Sequence, residues 1–95
     1  MIKRIVKMTF REEEIAGFMA NFEANKAKIK AFPGCNHLEL LRATDDSNIF
    51  FTFSIWDSPE DLEAYRHSDL FKGIWKVTKL MFDARPQAWS VRHVG

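Results

Sequence analysis

Residues 49–56, IFFTFSIW, read as a strand in which Ile49, Phe51, Phe53 and Ile55 take one face and Phe50, Thr52, Ser54 and Trp56 the other. Asp57-Ser58-Pro59-Glu60-Asp61 then stops the strand and opens a helix. Ser58 is placed to cap it, Pro59 suits its first position, and Asp61 stands three residues after the cap. A longer amphipathic helix follows and runs on to Phe82, where Ala84-Arg85-Pro86 interrupts it. In the closing stretch, Trp89, Val91 and His93 alternate with Ala88, Ser90, Arg92 and Val94 as a last strand.

The first half of the chain follows the same logic. In IKRIVKMTF, residues 2–10, Ile2, Val6, Met8 and Phe10 share a face on which Arg4 is the charged exception, and Lys3, Ile5, Lys7 and Thr9 share the other. Thr9 and Glu12 have the spacing of a capping box, and Ile15, Phe18, Met19, Phe22, Ile29 and Phe32 form one apolar stripe of a helix that Pro33-Gly34 ends. Residues 35–44, CNHLELLRAT, lie between breakers and pair with the strand at 49–56 across the polar turn Thr44 to Asn48. The order strand, helix, strand, strand, helix pair, strand predicts an α+β fold of the ferredoxin-like kind, a four-stranded antiparallel βαββαβ sheet with helices on one face. Large apolar groups nevertheless occupy both faces of the 49–56 strand. The face without helices therefore needs a cover, and a second copy of the same sheet is the simplest one.

Composition narrows the picture. A chain of 95 residues, 46% apolar and 14% aromatic, fills one modest core, so residues 1–95 are read as a single domain. Fourteen Lys and Arg against 13 Asp and Glu produce no field that would gather nucleic acid or an anionic membrane. No apolar run approaches the roughly 20 residues of a membrane span. Cys35 is alone, which excludes an internal disulfide, and with no signal-peptide pattern the expected compartment is the cytoplasm.

Candidate chemistry gathers on the strand–helix–helix stretch. Trp56, with Thr52 and Ser54 on its face, suits the floor of a pocket in which an indole stacks a planar ligand and hydroxyls bond it; packing under the helices is the competing reading. Tyr65 is in phase with Leu62 and points inward, whereas His67, two residues on, diverges to the surface. His37 and His93 lie on opposite edge strands, about three strand spacings of 4.8 Å apart, too far for one metal ion within a subunit. Cys35 has no base fixed beside it and reads as a small buried hydrophobe. Arg4, Arg42 and Arg92 lie on strands, with carboxylates such as Glu39 and Asp57 as their expected structural partners and an anionic ligand as the other reading.

Trp56-Asp57-Ser58-Pro59-Glu60-Asp61-Leu62 followed by Tyr65, then Ser68-Asp69-Leu70-Phe71, resembles the antibiotic biosynthesis monooxygenase family, as does the turn Pro33-Gly34-Cys35. The resemblance implies a ferredoxin-like subunit that pairs sheet to sheet into a dimeric α+β barrel, with a pocket between sheet and helices. It also implies cofactor-free oxygenation of a small phenol or quinol-like substrate, with Trp56 and Tyr65 as catalytic candidates and Thr52, Ser54, Phe71 and Trp75 around the substrate. Tyr65 or a nearby His would take or hold the substrate's proton. The family's polyketide-oxidising members pair an Asn with this Trp and a Tyr six residues after it, where this chain has Thr52 and Leu62. Its haem-degrading members need an iron-ligating His where Trp75 stands, and an indole nitrogen has no free lone pair. A non-catalytic small-molecule binder on the same fold is the alternative. On either reading no cofactor or metal is expected, and the partners are a second copy of the chain and a small aromatic molecule.

Overall fold

Four strands and three helices, β1 (Ile2–Phe10), α1 (Ile15–Lys30), β2 (Cys35–Arg42), β3 (Ile49–Trp56), α2 (Pro59–Arg66), α3 (Asp69–Thr78) and β4 (Phe82–Val91), make up the computed structural model, which describes all 95 residues. The strands are antiparallel in the order β2-β3-β1-β4. This is the ferredoxin-like α+β fold expected from the order of elements. The register aligns each strand's apolar alternation. Ile2, Met8 and Val6 lie opposite Trp56, Phe50 and Thr52, so the residues of both central strands that face the helices form one continuous surface.

The tightest core lies at one end of that surface. Met8, Phe10, Phe18 and Phe50 form a buried cluster, with Phe10 stacked on Phe18 at 4.0 Å between centroids and set edge-on to Phe50 at 5.7 Å. At the other end Trp56, Leu62, Ile29 and Leu38 are buried. Met19, placed by its spacing on the apolar stripe of α1, is instead 45% exposed, because the helix turns that position away from the sheet.

The predicted cap forms at α2, and α3 opens on an equivalent one. The Ser58 hydroxyl accepts from the Asp61 amide at 3.1 Å, and the Ser68 hydroxyl accepts from the Phe71 amide at 3.1 Å, so each serine satisfies one of the free N–H groups of its helix. At α1 the expected capping box does not form. Thr9 remains in β1, and the chain enters the helix through a 3-10 turn, Glu12–Glu14, with Arg11 at its cap position. Gly34 ends the α1 turn at φ +88°, a conformation open to glycine and strained for other residues.

The last strand also departs from expectation. It begins at Phe82, directly after a 3-10 turn, Lys79–Met81, so Pro86 lies inside the strand and does not precede it. β4 is an edge that pairs only with β1, and three steps on β4 (Ala84 to Gln87) oppose two on β1 (Thr9 to Lys7), a bulge that takes up Arg85 and Pro86. A proline at such a place removes no ladder bond.

The sheet face turned away from the helices carries rows that run across all four strands: Glu39–Phe53–Ile5–Trp89 and Leu41–Phe51–Lys7–Gln87. Nothing in the chain covers it, and Leu41 and Trp89 are each 45% exposed. No helix is long and apolar enough to cross a membrane.

Candidate functional site

Between the sheet and α1, α2 and α3 lies a cavity of about 300 Å³. Its floor is the helix-facing row of β3 with its neighbours on β1, and its walls come from α2 and α3. Thr52, Ser54, Trp56, Tyr65, Phe71 and Trp75, the six residues singled out from the sequence, all line it. Ser68 caps α3 and so fixes where Phe71 and Trp75, one turn apart, enter the wall.

Trp56 is packed within the chain. It is only 1% exposed, its Nε1 donates to Ser54 Oγ at 3.0 Å, and Tyr65 stacks on it with centroids 5.0 Å apart and planes 26° apart. Indole face, indole N–H and the Ser54 acceptor are all engaged within the chain. A ligand therefore meets Tyr65 and the α3 aromatics before it meets Trp56, and Trp56 sets the position of Tyr65. On the same row, the Thr52 hydroxyl makes no hydrogen bond within the chain.

Aromatic rings continue without a break around the wall. Tyr65 is edge-on to Phe71 at 5.3 Å, Phe71 stacks on Trp75 at 5.8 Å, Trp75 is edge-on to Phe82 at 5.5 Å, and Phe82 reaches Phe10 at 5.3 Å. This belt joins the wall to the tight core, so the lining is held by packing on both sides.

Burial pushes the Tyr65 phenol well above its ordinary value, and the negative charge of Cys35, once that thiol ionises at alkaline pH, adds to the effect. At neutral pH Tyr65 is thus a hydrogen-bond donor and does not take a proton from a ligand. Tyr65 is the chain's sole tyrosine, which makes the shift directly measurable. In an absorbance titration the folded protein is expected to ionise far more alkaline than the urea-unfolded chain, whose midpoint should fall near 10. The sign of the linkage follows: the unfolded chain releases its phenolic proton first, so this stabilisation is complete below pH 10 and is lost as the pH rises above it. Coincident titrations would show that Tyr65 is solvated.

The histidines lie elsewhere. His37 is on the helix-free face, tilted against Phe53 and 3.4 Å from Glu39; His67, its side chain 75% exposed, pairs with Glu63 at 3.2 Å; His93 lies beyond β4. None lines the cavity, and neither does any Asp or Glu. No three His, Cys, Asp or Glu side chains are grouped to hold a metal ion. Cys35 is half-buried at the start of β2, and desolvation raises its pKa, so it stays a thiol.

The expected arginine–carboxylate pairs do not form. Arg42 donates to the Ser47 and Asp46 carbonyls and lies over the Phe50 ring, Glu39 pairs with His37, and Asp57 accepts from Asn36 at 2.6 Å. Arg4 has no carboxylate partner, and its Nη1 donates to Ser90 Oγ at 3.1 Å. Arg4 and Arg66 both line the cavity, where they are its only charged groups. Arg66 was not singled out from the sequence, although it lies four residues after the buried Leu62 and so on the same side of α2.

The family model described as antibiotic biosynthesis monooxygenase matches residues 1–76. No curated protein sequence matches. Among solved structures, one described as an antibiotic biosynthesis monooxygenase superposes with a TM-score of 0.92 at 16% identity over 100% of both chains. A conserved protein of Methanosarcina mazei gives 0.91 at 19% identity, covering 96% of this chain and 90% of that one. A Mycobacterium tuberculosis protein gives 0.90 at 15% identity, covering 99% and 95%. At these identities the likeness is one of fold.

Proposed function

The chain belongs to the antibiotic biosynthesis monooxygenase family, and on that premise we propose that it is a cofactor-independent monooxygenase for a small phenol or quinol-like substrate, working as a cytoplasmic homodimer joined through the helix-free sheet face. The observation that carries the reading is the aromatic-walled cavity with its few inward donors, Tyr65, Thr52 and Arg4. A planar molecule is desolvated there by Tyr65, Phe71 and Trp75, and its oxygen substituents meet the hydroxyls of Tyr65 and Thr52, which can donate, and the cations Arg4 and Arg66. The cations Arg4 and Arg66 favour the substrate's anion, against the desolvation that holds Tyr65 protonated, without a protein base.

An ionised substrate of this class supplies its own electrons. Having lost its proton to water, it passes one electron to oxygen, the radical pair recombines at a ring carbon that bears hydrogen, the peroxide anion takes a proton back from water, and loss of water from the hydroperoxide leaves a carbonyl. One oxygen atom ends in the product and the other in water, with every electron drawn from the substrate. Tyr65 stays protonated throughout and orients the ligand's oxygen; Trp56, beneath it, is a positioning residue.

The second reading, a non-catalytic binder, is favoured by the absence of any histidine or carboxylate from the cavity wall. Oxygen consumption by metal-stripped protein over a panel of hydroquinones and anthrones separates the two. The expected result is uptake above the autoxidation rate, reduced on Tyr65→Phe. Saturable binding without uptake would instead establish the binder.

A further inference from the structure

We propose that the cavity selects ligands that carry a carboxylate, and that Arg4 is the residue that binds it. Arg4 is on the helix-facing side of β1 between Ile2 and Val6, an apolar stretch where a cation has no structural reason to be unless something pairs with it. Its cross-strand neighbours are Ser54 on β3 and Ser90 on β4. Ser54 is committed to Trp56, and Ser90 takes one of the five N–H donors of the guanidinium.

The local charges are unbalanced. Glu63 is the carboxylate whose field reaches Arg4, but it pairs with Arg66 at 2.7 Å and with His67 at 3.2 Å. Burial and the like charge of Arg66 both act to lower the pKa of Arg4, which nevertheless stays charged. A half-buried guanidinium with free donors, beside a second cation and above an apolar cavity, presents a fork that a carboxylate fills with two parallel hydrogen bonds. The remaining inward groups agree, because the Tyr65 phenol is held protonated and the Thr52 hydroxyl is free to donate. Every polar group that reaches the ligand from these positions can donate.

The inference rests on the cavity being the substrate site, and its test is kept apart from catalysis. Calorimetry with naphthoate and with naphthamide compares two ligands of the same shape that differ in charge. Naphthoate is expected to bind the wild-type dimer about tenfold tighter. Arg4→Gln should bring the two within about threefold by weakening naphthoate alone, whereas Arg66→Gln should do less, because Glu63 already engages that residue. Equal binding of the two ligands to wild type, no binding of either, or a preference that survives Arg4→Gln would overturn the proposal. Acid preference without oxygen uptake would keep the carboxylate site and remove the oxygenase; uptake with no acid preference would do the reverse.

Discussion

Exchanging Gly34 for alanine is expected to lower the free energy of unfolding by about 2–5 kcal/mol. Two independent penalties meet at this residue. Its φ of +88° is left-handed, and a Cβ there would stand 2.5 Å from Asp61 Cβ and Cγ. Neither atom is the far end of a flexible chain, and Asp61 is also held by Ser58, whose hydroxyl lies 3.0 Å from its Oδ2. The Gly34 carbonyl accepts from the Asp57 amide at 2.9 Å, so the same corner locks the end of β3, where Trp56 sits, against the α1–β2 turn. Urea denaturation measures the loss. Gly73→Ala provides the contrast: it sits inside α3 with nothing within 4 Å of an added Cβ, and its helix should gain about 0.5–1 kcal/mol. Equal midpoints for wild type and Gly34→Ala would show that the corner relaxes freely.

Placing lysine at Phe53 should convert the proposed homodimer into monomers. Phe53 stands mid-row on the uncovered sheet face, between Glu39 and Ile5. A two-fold interface counts each substitution twice, and a desolvated ammonium without a fixed partner costs at least about 2 kcal/mol. Together these should raise the dissociation constant on the order of 10³-fold. The monomer should still fold, because position 53 is on the face that no helix covers and the new ammonium stays in water there. Light scattering at micromolar concentration should give the mass of two 11.1 kDa chains for wild type and one for Phe53→Lys. A single-chain mass for wild type would remove the dimer from the proposed function.

What could be read in advance separates along physical lines. Strand and helix order, the cap at Ser58 and the inward phase of Tyr65 followed from periodicity and capping, both local in sequence, whereas the start of α3 at Ser68 and the places of Phe71 and Trp75 came only with the family resemblance. The start of β4 did not, because Pro86 looks like a boundary until the bulge and the edge position are known. Thr9 offered a cap that the β1–β3 pairing outcompeted. The stacking of Tyr65 on Trp56 depends on how α2 leans over β3, a tertiary fact with no local signature. Arg4 was visible as a charge out of place on an apolar face, but whether a carboxylate would answer it depended on where Glu63 would turn.

The three tryptophans divide the molecule into three optical environments. Trp56 is buried beneath Tyr65 and should emit at short wavelength while the chain is folded. Trp75 forms part of the cavity wall, so an aromatic ligand arriving there should quench it. Trp89 looks out from the helix-free sheet face and should shift to the blue when a second sheet covers it. Ligand entry, subunit pairing and loss of the fold can thus be followed separately by intrinsic fluorescence, with single Trp→Phe variants to assign each band and no label attached.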